Sequence, residues 1–111
     1  MTTFTVTPVE RADVVRLELR GELDMSSAPQ FNAVVDRLID DGRPRLLVDL
    51  GELGFCDSMG MAAFVRGDNL ATAAGGWLRL TGAAGRVERV LRISGLAEVL
   101  RHDDPGAGRD R

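Results

Sequence analysis

Asp57 and Ser58 are the residues of this chain best placed to do chemistry. They stand between an apolar run, Leu46-Leu47-Val48-Asp49-Leu50, and an Ala-rich segment from Met61 to Ala74, where a strand would give way to a helix. Backbone N–H groups at a helix start have no partner within the helix, and Asp and Ser side chains are their commonest acceptors. Capping is therefore the local reading of the pair, and a functional role stays open beside it. Nucleophilic catalysis is disfavoured. A serine nucleophile needs a base, the one histidine is His102 at the border of a polar tail, and Asp57-Ser58-Met59-Gly60 is not a Gly-x-Ser-x-Gly elbow.

Asp24, within Gly21-Glu22-Leu23-Asp24-Met25, is the second candidate, and locally it reads as a turn or cap residue. Both acidic loops follow a strand and precede a helix. If the two strands lie side by side, Asp24 and Asp57-Ser58 emerge at one edge of the sheet. Gly21 and Gly60 would allow close backbone approach of a partner there. Cys56 stands alone, so no intrachain disulfide or thiolate metal cluster can form, and it reads as a small hydrophobe at a strand-to-helix corner. With one Cys and one His, no metal site is expected. No cofactor is expected either, because Walker A and Gly-x-Gly-x-x-Gly patterns are absent. Arg86, Arg89 and Arg92 read as the wet face of a helix.

The elements that must position these residues follow from periodicity. Phe4 to Thr7 alternates like a half-buried strand, Glu10 to Asp13 turns the chain, and Val15, Leu17 and Leu19 mark a second, antiparallel strand. Gly21 to Met25 reads as a loop. Ser27 and Gln30 have capping-box spacing, Pro29 suits a first helical turn, and Ala28, Phe31, Val35, Leu38 and Ile39 share one helical face. Gly42 is placed to cap that helix, and Pro44 stops it. Leu46 to Leu50 is a buried strand, Gly51 to Gly54 a loop, and Ser58 to about Ala74 a helix closed by Gly75-Gly76. Trp77 to Thr81 is a strand, with Trp77 in the core or at a sheet edge. Ala84, Val87, Val90 and Leu91 mark a third helix, ended by Ser94-Gly95, and Leu96 to Leu100 a last short turn or helix against the core. The fold class predicted is α/β: a single domain over 1–102, with a mixed sheet of about four strands packed against helices. Residues 103–111 are predicted to be a disordered tail.

Composition agrees with a single soluble domain. The chain has 111 residues, 44% apolar and 28% charged, enough to bury a core without staples. Net charge is −3 with scattered arginines, which gives no nucleic-acid footprint. Met1-Thr2-Thr3-Phe4 is not a signal peptide, and no apolar stretch reaches membrane-spanning length, so a cytoplasmic location without membrane contact is expected.

Taken together, Gly21-Glu22-Leu23-Asp24, Val48-Asp49-Leu50 and Phe55-Cys56-Asp57-Ser58-Met59-Gly60-Met61 resemble the STAS domain, and more narrowly the bacterial anti-sigma factor antagonists. Val87-Glu88-Arg89-Val90-Leu91-Arg92-Ile93-Ser94-Gly95-Leu96 is similar to that family's last helix, and the resemblance spans about residues 4 to 100 in order. It implies a STAS-like fold and a switch protein without catalysis of its own. The unphosphorylated antagonist would bind an anti-sigma factor that is also a serine kinase, freeing a sigma factor. Phosphorylation would release it, and a serine phosphatase would restore it.

The family's phosphoacceptor falls on Ser58, its preceding acid on Asp57 and its loop acid on Asp24. Met59 departs from the family's usual second hydroxyl residue, which leaves Ser58 as the acceptor. Partner contacts are expected at Asp24, Met25, Asp57, Ser58, Met59 and Gly60, whereas Met61 reads as buried under its helix. An exposed strand edge allows a weak homodimer. The alternatives are an accessory or scaffold subunit of a lipid-transport or stress-sensing complex, and a small enzyme or nucleotide-binding domain.

Overall fold

The computed structural model describes residues 3–100. Its elements are β1 (Thr5–Arg11), β2 (Val14–Leu23), α1 (Ala28–Asp40), β3 (Arg45–Cys56), α2 (Ser58–Ala73), β4 (Trp77–Thr81), α3 (Gly85–Ser94) and α4 (Leu96–Leu100). The strands form one sheet in the order β1-β2-β3-β4. β1 runs antiparallel to β2, while β2, β3 and β4 are mutually parallel. This is the mixed four-stranded α/β arrangement that the hydrophobic pattern predicts.

Alternation along the strands decides which face is covered. Val15, Leu17 and Leu19 of β2, Leu46, Val48 and Leu50 of β3, and Leu78 and Leu80 of β4 are all buried. They form one cluster with Phe31 and Val35 of α1, Phe64 of α2, Val87 and Leu91 of α3, and Leu100 of α4. Phe31 and Phe64 meet edge to face, with ring centroids 5.5 Å apart, which joins the two long helices. The opposite face of the sheet is polar. It carries ion pairs between Arg16 and Asp49 at 2.8 Å and between Arg20 and Glu52 at 3.5 Å.

Three strands run further than their local patterns suggest. β1 continues through Glu10 to Arg11, and the turn is confined to Ala12 and Asp13, with Ala12 at φ 51°. Gly21 to Leu23, expected in a loop, belongs to β2, and Gly51 to Gly54, likewise expected as a loop, belongs to β3. The two extensions pair with each other, from Arg20 opposite Glu52 to Leu23 opposite Cys56, with one register shift just before Arg20 and a second between Gly21 and Glu22. Bulges of this kind let glycine and polar residues sit within a ladder.

The capping box expected of Ser27 and Gln30 does not form. Ser27 occupies the N-cap position of α1 but is helical in conformation, and its side chain caps no helical N–H. Ala84, expected on the buried face of α3, is its exposed N-cap. Trp77 lies partly buried on the edge strand β4, with the Arg79 guanidinium 6.0 Å from its ring centre. His102, the end of the predicted domain and the 103–111 tail lie outside the described residues.

Candidate functional site

The carboxyl ends of β2 and β3 bring the two acidic loops together. Leu23 and Cys56 are register partners, and the Asp57 N–H donates to the Leu23 carbonyl at 3.2 Å. Asp24 follows the first strand and Asp57-Ser58 the second, so the expected common edge is present.

Asp57 is the N-cap of α2. Its Oδ1 accepts from the Met59 N–H at 2.9 Å and the Gly60 N–H at 3.0 Å. Ser58 is the first residue of the helix, exposed to solvent. An oxyanion attached to Ser58 would therefore not meet a row of free amides, because Asp57 already occupies two of them. Its electrostatic support would come from the helix dipole, against the adjacent carboxylate.

Asp24 is held by its own loop. Its Oδ1 accepts from the Ser26 N–H at 3.0 Å, the Ser26 hydroxyl at 2.8 Å and the Ser27 N–H at 3.2 Å. The Ser26 hydroxyl, followed by the backbone donors, holds the Asp24 carboxyl below its ordinary value. Ser27, the buried polar residue of the described chain, sits under this turn. Its hydroxyl donates to the Glu22 carbonyl at 2.8 Å and accepts from the Asp24 N–H at 2.9 Å.

The apolar side chains at this edge are open to solvent: Met25 is 70% exposed, Met59 48% and Phe55 37%. Phe55 stands opposite Glu22 in the ladder and joins the expected contact residues at the same edge. Its place in an apolar run hid it, because the sequence does not show that β3 leaves this position uncovered. Met61 packs against the core, as expected.

The glycines play a different part from the one expected. Gly60 is buried, and a Cβ there would lie 2.8 Å from both the Cys56 sulfur and the Leu23 carbonyl. At Gly21, with φ 98°, a Cβ would lie 2.1 Å from the Thr3 carbonyl. The close approaches that require these glycines are made by the chain itself, so Gly60 shapes the edge from beneath. Cys56 is buried, and desolvation with the nearby Asp57 charge pushes its thiol up to about 12. It is a packing residue, not a nucleophile.

Among the described residues no group of three or more His, Cys, Asp or Glu is arranged to hold a metal ion. None of the described helices is long and apolar enough to cross a membrane.

Residues 6–101 match the family model described as "Mlab, STAS domain". An anti-sigma-B factor antagonist of Bacillus subtilis is 28% identical over 86 residues, covering 78% of each chain. The anti-sigma-B factor antagonist of Staphylococcus aureus is 26% identical over 84 residues, covering 76% of this chain and 78% of its own. Among solved structures, the unphosphorylated anti-sigma factor antagonist SpoIIAA superposes with a TM-score of 0.76 at 26% identity, over 92% of this chain and 88% of its own. The phosphorylated form of this Bacillus cell fate determinant gives 0.69 at 25% identity, over 92% and 91%.

Proposed function

The chain belongs to the STAS domain family, and from that premise we propose that it is an anti-sigma factor antagonist switched by phosphorylation of Ser58. The observation that carries the reading is the Ser58 hydroxyl: exposed, first in α2, and flanked by the Asp57 cap and the Asp24 loop. The relatives named anti-sigma-B factor antagonists support the class of partner. In this reading the unmodified edge binds an anti-sigma factor that is also a serine kinase, and a sigma factor is freed. The kinase then phosphorylates Ser58, and a serine phosphatase reverses the step. The chain performs no catalysis itself.

Release follows from charge and desolvation. A phosphate adds about −1.5 to −2 at neutral pH. Asp57 Oδ1 already occupies the Met59 and Gly60 N–H groups, so the new charge stays on the surface, beside Asp57 and near exposed Met25, Phe55 and Met59. Closing an apolar contact over it, or setting like charge against it, costs several kcal/mol, and about 3 kcal/mol already weakens binding more than a hundredfold. The helix dipole offsets part of the added charge, and the buried face of α2, Ala63, Phe64, Gly67 and Ala71, keeps the modified domain folded. No large conformational change is required.

The test is to incubate the protein with purified serine-kinase anti-sigma factors of its host and ATP, then map the phosphosite. Ser58 should be labelled, Ser58→Ala should bind without release, and Ser58→Glu should bind at least a hundredfold more weakly. Equal binding by Ser58→Ala, Ser58→Glu and the unaltered protein defeats the switch. If Ser58 stays unlabelled while the edge still binds a partner constitutively, the accessory-subunit reading takes its place.

A further inference from the structure

We propose that Ser27 is the positioning residue of the partner-binding edge: its hydroxyl fixes the turn that aims Asp24 Oδ2 and Met25 outward, in register with Ser58. The proposal rests on the function proposed above and adds to it a residue outside the contact surface. Ser27 is 8% exposed, so it is nearly closed off from a partner.

The geometry is that of a latch between two loops. A serine hydroxyl has one proton, and the shorter of its two possible donations is to the Glu22 carbonyl at 2.8 Å, against 3.2 Å to Asp24 Oδ1. Its lone pair receives the Asp24 N–H at 2.9 Å. The start of α1 is thus tied to the last peptide groups of β2. The next carbonyl along that strand, Leu23, accepts the Asp57 N–H from the neighbouring loop. Both acidic loops are therefore referenced to two consecutive peptides of one strand, and Ser27 supplies the attachment for the first.

The latch also sorts the two Asp24 oxygens. Oδ1 is occupied by the Ser26 and Ser27 donors, and Oδ2 has no hydrogen-bond partner among the described residues. One oxygen builds the turn and the other is left for the partner. Met25, next in the chain, is 70% exposed on the same turn. Without the Ser27 hydroxyl its bonds to the Asp24 N–H and the Glu22 carbonyl are lost, and the turn, still closed by the Ala28 N–H on the Asp24 carbonyl at 2.8 Å, loses its side-chain attachment to β2.

The experiment measures phosphorylation of the full chain by a purified host serine-kinase anti-sigma factor and ATP, in wild type, Ser27→Ala, Ser27→Cys, Asp24→Asn and the double variant Ser27→Ala/Asp24→Asn. Cysteine fills the Ser27 position with a slightly larger and weaker hydrogen-bonding group, so a defect shared with alanine reports lost bonding and not an emptied volume. For Ser27→Ala and Ser27→Cys, KM should rise about tenfold, the value of one hydrogen bond to a positioned group, while kcat holds. Because Ser27 acts through Asp24, the double variant should be no worse than about the weaker single variant, not the product of the two.

Unchanged KM in both Ser27 variants overturns the proposal. So does a parallel fall of kcat with thermal stability, which marks a merely structural role, and so does a multiplicative double variant. A wild-type chain that is not phosphorylated at Ser58 instead defeats the underlying function, which the Ser27 variants alone cannot do.

Discussion

Replacing Asp57 by alanine separates what this residue does for the fold from what it does for the switch. In the native protein its Oδ1 accepts from the Met59 and Gly60 N–H groups at 2.9 and 3.0 Å. Removing an N-cap acceptor costs about 1 kcal/mol, in a range of roughly 0.5–2. The loss stays local, because Ala63, Phe64, Gly67 and Ala71 of α2 are buried and hold the rest of the helix to the sheet. For a domain of this size that corresponds to a fall of about 5 °C in the thermal midpoint. Asp57→Asn keeps an equivalent acceptor and should fall by less than about 0.5 kcal/mol. Circular dichroism melts of the three proteins measure the difference. Amide hydrogen exchange should quicken at Met59 and Gly60 in the alanine variant alone. Labelling of Ser58 by its kinase should then weaken in Asp57→Ala, whose first helical turn is loosened. An unchanged midpoint with normal phosphorylation refutes the capping argument and the role assigned to Asp57 together.

Gly60→Ala should destabilise the domain by about 1–3 kcal/mol through overpacking, since its Cβ would lie 2.8 Å from Cys56 Sγ and from the unyielding Leu23 carbonyl; urea unfolding should show a lower midpoint with an unchanged slope. Cys56 should resist thiol reagents until the chain unfolds. Its folded value of about 12 exceeds the ordinary 9.0, so the stability difference between wild type and Cys56→Ala should be constant below about 9 and shift against the wild type as pH rises towards 12. A difference that stays flat across that window would contradict the burial argument. Asp68→Ala should increase self-association in sedimentation velocity runs. Asp68 Oδ1 accepts from the Leu78 N–H at 3.0 Å and from Arg79 at 3.2 Å, which blunts the β4 edge that could otherwise pair with a second copy.

The parts of the fold written in the sequence are those that one period dictates. Val15, Leu17 and Leu19 can face the same way only in a strand, and Phe31, Val35 and Leu38 only in a helix, so both elements are legible from spacing alone. The ends of β2 and β3 are not. Gly21 and Gly51 to Gly54 look like loop residues because glycine and charge usually interrupt a ladder. Here the two irregular stretches pair with each other, a fact that belongs to neither segment singly. Ser27 fails as a capping box for a similar reason. The spacing to Gln30 is right, but the Glu22 carbonyl and the Asp24 N–H compete for the hydroxyl and win. At the site, Asp57 as a cap and the shared edge with Asp24 were legible. The inward demand on Gly60 and the exposure of Phe55 were not, because both depend on what the folded chain does or does not place against them.

The position of the proposed phosphoacceptor answers a physical problem. A regulatory charge must be large enough to break an interface and harmless enough to leave the domain folded. At the N-cap it would displace the acceptor that secures Met59 and Gly60. Two residues beyond Ser58, at buried Gly60, it would drive into Cys56 and the Leu23 carbonyl, which a Cβ there would already approach to 2.8 Å. The first helical residue avoids both costs, since Ser58 is exposed and a different side chain does the capping. The same arrangement keeps the charge effective. With two helical N–H groups already held by Asp57, the phosphate cannot be neutralised by folding back onto them, and its charge is borne by whatever surface tries to close over Met25, Phe55 and Met59. A cap that is already occupied is thus a requirement of the proposed switch. A variant that empties it, such as Asp57→Ala, should let the phosphate take the vacant amides and narrow the difference in partner affinity between the phosphorylated and unmodified forms.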